Sequence, residues 1–291
     1  ATFFYPEVPS DTTGTFYKWG DETFFGAGNT NPAASHGERA VGGDFSRLPP
    51  DSLSTDTFRT KEYGFEIALD DTLRKKSQVP TSLETSRVDR VLHETLRARE
   101  LRVNAVVNAT GSISTNNETL SGTSQWSDYA NSDPIGKIEG AIEALFLSTG
   151  YDPANYKLCA ATNDQVDRYL RWHPDLTNKL ADSRTKMIDS SAMAEFFNIE
   201  EYRVLKTIKN TAKPGQTVVR ARLWADDFLL FIKPRNPAPE QVALGYCFTF
   251  GAVQTEEWRE EPRSTIYLVS HDVDDKLIEE SAAYLFKDCL A

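Results

Sequence analysis

Between Trp126 and Leu180 the chain carries a stop or start signal at every junction, which leaves little freedom in what this stretch can fold into. Ser132 or Asp133 can cap orphan N–H groups at a helix start, with Pro134 in the first helical position, where no donor is lost. Ile135, Ile138, Ile142, Leu145 and Phe146 then recur at steps of three and four, and Gly150 can take the left-handed conformation that ends a helix. Tyr151 to Asn155 is turn chemistry. The short run Tyr156 to Ala161 reads as a strand, ending where Thr162 or Asn163 caps a second helix whose buried side is Val166, Tyr169 and Leu170. His173 precedes Pro174 and is biased out of the helical region, so this helix ends near Trp172.

A longer helix is predicted from Pro80 to Val107, opened by a capping-box pattern at Thr81 and Glu84. Val88, Val91, Leu92, Leu96, Val103 and Val107 form its apolar face. Arg87, Asp89, Arg90, Glu94, Arg97, Glu100 and Arg102 fill the others and read as a solvated surface, with Arg90 and Glu94 spaced for a pair. Upstream, the first 45 residues hold nine aromatics among seven glycines with no regular period. Such a segment cannot fold alone, yet its rings demand burial, so it is expected to dock as an extended arm on its own chain or on a neighbouring subunit. Residues 40–72 combine polar text around Pro49-Pro50 with an alternation of Tyr63, Phe65, Ile67 and Leu69, the pattern of a projecting hairpin.

Asn108 to Gln125 reads as a surface hairpin or loop. Its Asn108-Ala109-Thr110 and Asn117-Glu118-Thr119 match glycosylation sequons, a motif too short to mean much. Beyond 180 come a brief helix at Ala192 to Phe197 and strands at Tyr202 to Ile208, Val218 to Leu223, Phe228 to Ile232 and Ala243 to Phe250. Three more, Val253 to Trp258, Thr265 to Val269 and Leu277 to Phe286, are expected to pair as an antiparallel meander beside the long helix. The class is α+β.

With 40% hydrophobic and 26% charged residues the chain is ordinary for a globular protein. No apolar run approaches the roughly 20 residues of a membrane helix, and no basic-then-apolar leader opens the chain, so a soluble product of the cytoplasm with no membrane partner is expected. Position 1 is Ala, consistent with removal of an initiator Met or of a longer leader by a maturation protease. Cys159, Cys247 and Cys289 include no close pair and read as buried free thiols. The formal charge of −11 opposes nonspecific binding to nucleic acid.

Sequence signatures of catalysis are missing: no G-x-G-x-x-G, G-x-x-x-x-G-K, H-E-x-x-H or G-x-S-x-G occurs. The histidines are His36, His93, His173 and His271. His271-Asp272-Val273-Asp274-Asp275 offers oxygens to a divalent cation but lacks the glycine and distant Glu of a calcium loop, so a hairpin turn is the expectation. No catalytic, metal or cofactor residue is assigned.

Trp126-Ser127-Asp128 with Asp133-Pro134, Gly150, Pro153-Ala154-Asn155 and His173-Pro174-Asp175, followed by Leu223-Trp224-Ala225-Asp226-Asp227 and Gly245-Tyr246-Cys247-Phe248, resembles the major capsid proteins of tailed bacteriophages. The order of parts over nearly the full length resembles the Hong Kong 97-like capsid fold. The resemblance implies an N-terminal arm at 1–39, an extended loop hairpin at 40–72, a peripheral domain with a spine helix at 73–125, an axial domain at 126–250 and a peripheral return at 251–291.

It further implies a structural protein, not an enzyme and without cofactors, that is made in the host cytoplasm and assembles into the icosahedral virion shell around double-stranded DNA. Its partners would be copies of itself in pentamers and hexamers, a portal, and scaffold, protease or decoration proteins, with the DNA nearby but not specifically bound. Phe3, Phe4, Tyr5, Trp19, Arg47, Arg59, Lys61 and Glu62 are the candidate intersubunit contacts. An encapsulin-like compartment is the alternative, followed by a soluble hydrolase or ligand-binding protein.

Overall fold

Local signals decide the helices. In the computed structural model, which describes residues 2–19, 41, 43, 53–76, 79–109, 112–180, 188–213, 215–238, 241–260 and 263–291, Asp133 accepts a hydrogen bond from the Gly136 amide and Pro134 opens a helix that runs to Thr149. Gly150 closes it with φ 57°, its amide bonded to the Phe146 carbonyl. Asn163 caps the next helix by accepting from the Gln165 and Val166 amides, and His173 leaves that helix with extended backbone, as its place before proline requires.

In chain order the strands are β1 (Glu7–Pro9), β2 (Thr13–Trp19), β3 (Leu53–Arg59), β4 (Lys61–Asp70), β5 (Asn117–Thr119), β6 (Tyr156–Asn163), β7 (Glu201–Leu205), β8 (Ile208–Asn210), β9 (Arg220–Arg222), β10 (Phe228–Pro234), β11 (Gly245–Glu260), β12 (Ser264–Leu277) and β13 (Ala283–Lys287). The helices are α1 (Asp71–Lys76), α2 (Pro80–Val107), α3 (Pro134–Thr149), α4 (Asp164–Trp172), α5 (Pro174–Leu180) and α6 (Ser190–Phe196). One sheet has the order β1-β11-β12-β4 and a second the order β5-β13-β10-β6-β7; β2-β3 and β8-β9 are separate ribbons.

The five-stranded sheet is the wall between two cores. Strands alternate the faces of successive side chains, so Leu158 and Ala160 of β6 with Phe228, Leu230 and Ile232 of β10 face one core, together with Trp126, Ile138, Leu145, Val166 and Leu170. Cys159, Ala161, Leu229 and Phe231 face the other, with Phe3, Phe4, Val103, Val107 and Leu244. Both faces being covered explains why β10 reads as a continuous apolar run. Helix α2 lies against β12 and β4. Val91, Val103 and Val107 are buried there, each contributing about 1.5–3 kcal/mol by transfer from water.

Several expectations are corrected. Helix α2 begins without the capping box: Glu84 is drawn instead into an ion pair with Arg74 at 2.5 Å, and Glu94 pairs with Arg97 at 2.7 Å rather than with Arg90. Leu96, placed on the apolar face, is 45% exposed. Glu100 and Arg102 do not lie on a solvated face; the Glu100 carboxylate accepts from Trp224 Nε1 at 2.9 Å and Thr207 Oγ1 at 2.8 Å. The loop after α2 is pinned by buried Ile113 and Leu120.

The expected strands at Ala243 to Phe250 and Val253 to Trp258 fall together in one strand, β11, which begins only at Gly245 and has a register shift between Phe250 and Gln254. Its partner β12 runs through His271 to Asp275, so that segment is mid-strand and not a turn. Leu277 to Phe286 is not a third strand of that meander: β12 ends at Leu277, and β13 crosses to pair with β10 and β5 in the other sheet. Hydrophobic alternation cannot distinguish one strand from two when a short break keeps the chain extended.

Candidate functional site

The candidate site is a set of surfaces, beginning with the aromatic leader. Phe3, Phe4 and Tyr5 are 5%, 2% and 0% exposed within the chain itself. Phe4 stacks on Trp224 with ring centroids 4.9 Å apart, Phe3 meets Phe231 edge-on at 5.2 Å, and the Arg203 guanidinium lies 4.6 Å from the Phe3 ring. These three side chains, expected at contacts between subunits, are buried within their own chain. The leader's first residues dock on their own chain, because the open side of the five-stranded sheet needs a cover and three consecutive aromatics supply it. Tyr5 reaches across Gly245, where any Cβ would overlap its ring and the Lys276 carbonyl.

From there β1 adds a parallel strand to β11, with Glu7, Val8 and Pro9 opposite Cys247, Phe248 and Thr249. The join is held by charge. Glu7 accepts a 2.7 Å hydrogen bond from the nearly buried Arg99 guanidinium, which also faces the buried Asp275 carboxylate at 3.7 Å. The Tyr5 hydroxyl beside them has no hydrogen-bond partner among the described residues, and burial, then the Asp275 charge, raises its pKa. Burial likewise raises the Cys247 thiol, with Asp275 adding to it. One turn on, Arg102 lies 3.7 Å from the Tyr63 ring centre and 3.2 Å from His271 Nε2. Burial, then the Arg102 and Arg99 charges, lowers the His271 pKa, so the ring is neutral and Nε2 accepts from Arg102. Nothing in the local sequence pattern marks this network, since its members come from β1, α2, β4, β11 and β12.

The projecting parts are the β2-β3 ribbon and the far end of β11. Thr13 to Trp19 pair with Leu53 to Arg59 in antiparallel register, so the arms of the hairpin are these two strands, and β4 turns back to pair with β12. Phe16 and Phe58 anchor the ribbon on Phe248, Phe58 stacking at 4.1 Å and Phe16 at 5.4 Å. Arg59, Lys61 and Glu62 are exposed. The Arg59 amide donates to Asp274 at 3.0 Å, and Glu62 faces Asp272 across the strands, a like-charge pairing that leaves Glu62 seeking a cation elsewhere. Arg47 and the Trp19 side chain lie outside the described residues. Beyond the end of β1, Gly251 to Glu260 of β11 is exposed on both faces, with Val253 51% and Trp258 37% exposed.

Polar chemistry elsewhere is structural. Ser132 donates its one proton to the Asp128 carbonyl at 2.7 Å, so the buried His173 donates from Nε2 to Ser132 Oγ at 3.0 Å, while Nδ1 accepts from the Asp175 amide at 3.3 Å. This is a neutral ring, and burial lowers its pKa accordingly. An open groove of about 660 Å³ is lined by Ser190, Ser191, Glu195, Glu200, Glu201 and Arg203. Of its carboxylates, Glu201 is paired with Lys157 at 3.1 Å and Lys233 at 2.9 Å and Glu200 with Arg235, while Glu195 is exposed. Cys159, Cys247 and Cys289 are buried free thiols, Cys159 pushed up to about 12 by burial. No described helix is long and apolar enough to cross a membrane.

No protein-family model matches the chain. The fold combines a four-stranded and a five-stranded sheet with one long helix lying against β12 and β4 of the first. The chain is 26% identical over 215 residues to the major capsid protein of Burkholderia phage BcepMu, a match that spans 72% of this chain and 66% of that protein. It is similar in structure to a phage-related protein from Bordetella bronchiseptica RB50, with TM-score 0.76 and 22% identity over 99% of this chain and 91% of that one. A virus-like particle from Pyrococcus furiosus follows at TM-score 0.57 and 11% identity (98% and 91% covered). The capsid of cyanophage P-SCSP1u gives TM-score 0.56 and 10% identity (98% and 85%). The resemblance to phage major capsid proteins is borne out, and the chain has the α+β fold of capsid shell proteins.

Proposed function

We propose that this chain is the tile of the icosahedral shell enclosing the double-stranded DNA of a tailed bacteriophage, built on the Hong Kong 97-like plan. In this reading α2 is the spine helix, β2-β3 with β4 is the extended loop, the four-stranded sheet is peripheral and the region around α3 to α6 is axial. The observation that carries it is the fold shared with the capsid of cyanophage P-SCSP1u over 98% of the chain, in a molecule whose β2-β3 ribbon is anchored by Phe16 and Phe58 on Phe248 and whose β11 is exposed from Gly251 to Glu260. Surfaces not buried within one copy are buried between many, and head-to-tail contacts that close make rings and then shells.

The chemistry fits a structural and non-catalytic role, because the polar clusters are internal clamps with committed partners. A net charge of −11 suits a container that must let packed DNA move rather than hold it. Arg59, Lys61 and Glu62 are the intersubunit ion-pair candidates that remain available, each contributing little alone and more as one of many simultaneous contacts.

Light scattering and electron microscopy of the expressed protein test the reading. Closed particles of many megadaltons are expected; a species of 32.6 kDa that never associates would refute it. Particles filled with a protein cargo in place of nucleic acid would move the assignment to a cellular compartment.

A further inference from the structure

Two surfaces on different parts of the molecule, one following the β7 edge of the five-stranded sheet and one on the helix over β13 and β10, are complementary in charge. The first is the β8-β9 hairpin. From Lys206 to Arg222 the chain holds five basic residues, Lys206, Lys209, Lys213, Arg220 and Arg222, and no acidic one, although acidic residues outnumber basic ones 43 to 32 in the whole sequence. Arg222 is tied to Asp164 at 2.5 Å, whereas Lys209, Lys213 and Arg220 have no ion-pair partner among the described residues. Between the charges sit Ile208, Val218 and Val219, 51%, 58% and 55% exposed.

The second surface is the outer face of α3. Gly136, Glu139, Gly140, Glu143, Phe146 and Leu147 fall on one stripe of the helix, opposite Ile135, Ile138 and Leu145 in the core. Glu139 and Glu143 are one turn apart, like-charged, and without an ion-pair partner among the described residues, an arrangement that mildly destabilises an isolated helix. Phe146 and Leu147 beside them are 52% and 66% exposed. One surface is thus basic with an apolar centre and the other acidic with an apolar end.

Their placement separates them within one copy. The hairpin follows β7 at one end of the order β5-β13-β10-β6-β7, while α3 packs on β13 and β10, with Lys137 paired to Glu118 of β5 at the other end. From β13 to β7 is three strand spacings, roughly 14 Å. A contact joining two different patches on opposite sides of a subunit is head-to-tail, the kind that closes into a ring.

We propose that the β8-β9 hairpin of one copy docks on the outer face of α3 of the next, Lys206 and Arg220, which line one open face of the hairpin with Ile208, facing Glu139 and Glu143, and Ile208 against Phe146 and Leu147. The partner is a second copy of this chain, favoured over nucleic acid because the hairpin's basic groups are interleaved with exposed aliphatic side chains and a matching acidic-apolar face exists on the same molecule. The inference rests on the shell reading and deepens it by naming the ring contact.

A charge swap tests it. Variants K206E/R220E and E139K/E143K each juxtapose like charges, and each should lower particle yield about tenfold while leaving the subunit's circular dichroism and unfolding midpoint intact. The four-residue combination restores opposite charges and should recover most of the yield. Wild-type yield from either double variant, no recovery in the combination, or a hairpin variant that assembles normally but retains less nucleic acid would each overturn the contact while leaving the shell reading standing. Failure of the unmodified chain to form particles sinks both.

Discussion

Single residues in this fold are constrained from sides that the sequence does not display. Gly245 must be glycine because the Tyr5 ring and the Lys276 carbonyl occupy the space of its Cβ, not because its backbone is unusual. Gly245→Ala should therefore destabilise the subunit by about 1–3 kcal/mol, read as a shift in urea midpoint at unchanged slope. Asp227 is a second case. Burial, opposed in part by its hydrogen bond from the Asp288 amide, raises its pKa to about 6. Between about pH 4 and 6 the folded chain keeps a proton that the unfolded chain has released. Stability from this group is thus present at low pH and lost as pH rises through about 6. Asp227→Asn stays neutral and keeps an acceptor for Asp288; at pH 7.5 it should be about 1–2 kcal/mol more stable than wild type, the difference vanishing near pH 4. Denaturant titrations at the two pH values check the sign.

Elements are joined by the Arg99 clamp, which ties the leader strand β1 and the central strand β12 to α2. Removing one member of a buried pair leaves the other charge uncompensated. Arg99→Met should cost about 3–5 kcal/mol, and adding Asp275→Asn should return much of that, a coupling that a double-mutant cycle measures. Phe4→Ala belongs to the same scale: the leader is part of the core against β10, so truncating this ring should cost about 3–5 kcal/mol in the unassembled subunit, checked by chemical unfolding. A leader that served neighbours alone would leave subunit stability unchanged. The α3, β6 and α4 boundaries were legible because caps and breakers act within one turn of chain. The fate of β13 was not, because strand pairing is decided by which apolar face is open when the chain returns.

On the scale of the whole molecule, the five-stranded sheet makes the two cores interdependent, since β6 and β10 send alternate residues into each. Leu145→Ala on one side and Phe231→Ala on the other should therefore lower a single common unfolding transition, with calorimetric and van't Hoff enthalpies in agreement. Two separable transitions would mean that the cores fold as independent domains. In the proposed shell, what this framework leaves uncovered would carry the contacts between copies: the ribbon anchored by Phe16 and Phe58, the far end of β11, the basic hairpin and the outer face of α3.

By itself the sequence determined the helices at 80–107, 134–149 and 164–172, the burial of the three thiols, the α+β class and, through the residues around Trp126 and His173, the likeness to a phage shell protein. Those features depend on capping, breakers and side-chain period, all of which act over a few residues. Only the tertiary structure decided that Phe3, Phe4 and Tyr5 roof their own sheet, that Glu100 and Arg102 face inward, that His271 to Asp275 lie mid-strand and that β13 leaves the meander. Each of these depends on contacts between residues scores of positions apart, whose free energy comes from the space and charge left open by the rest of the fold.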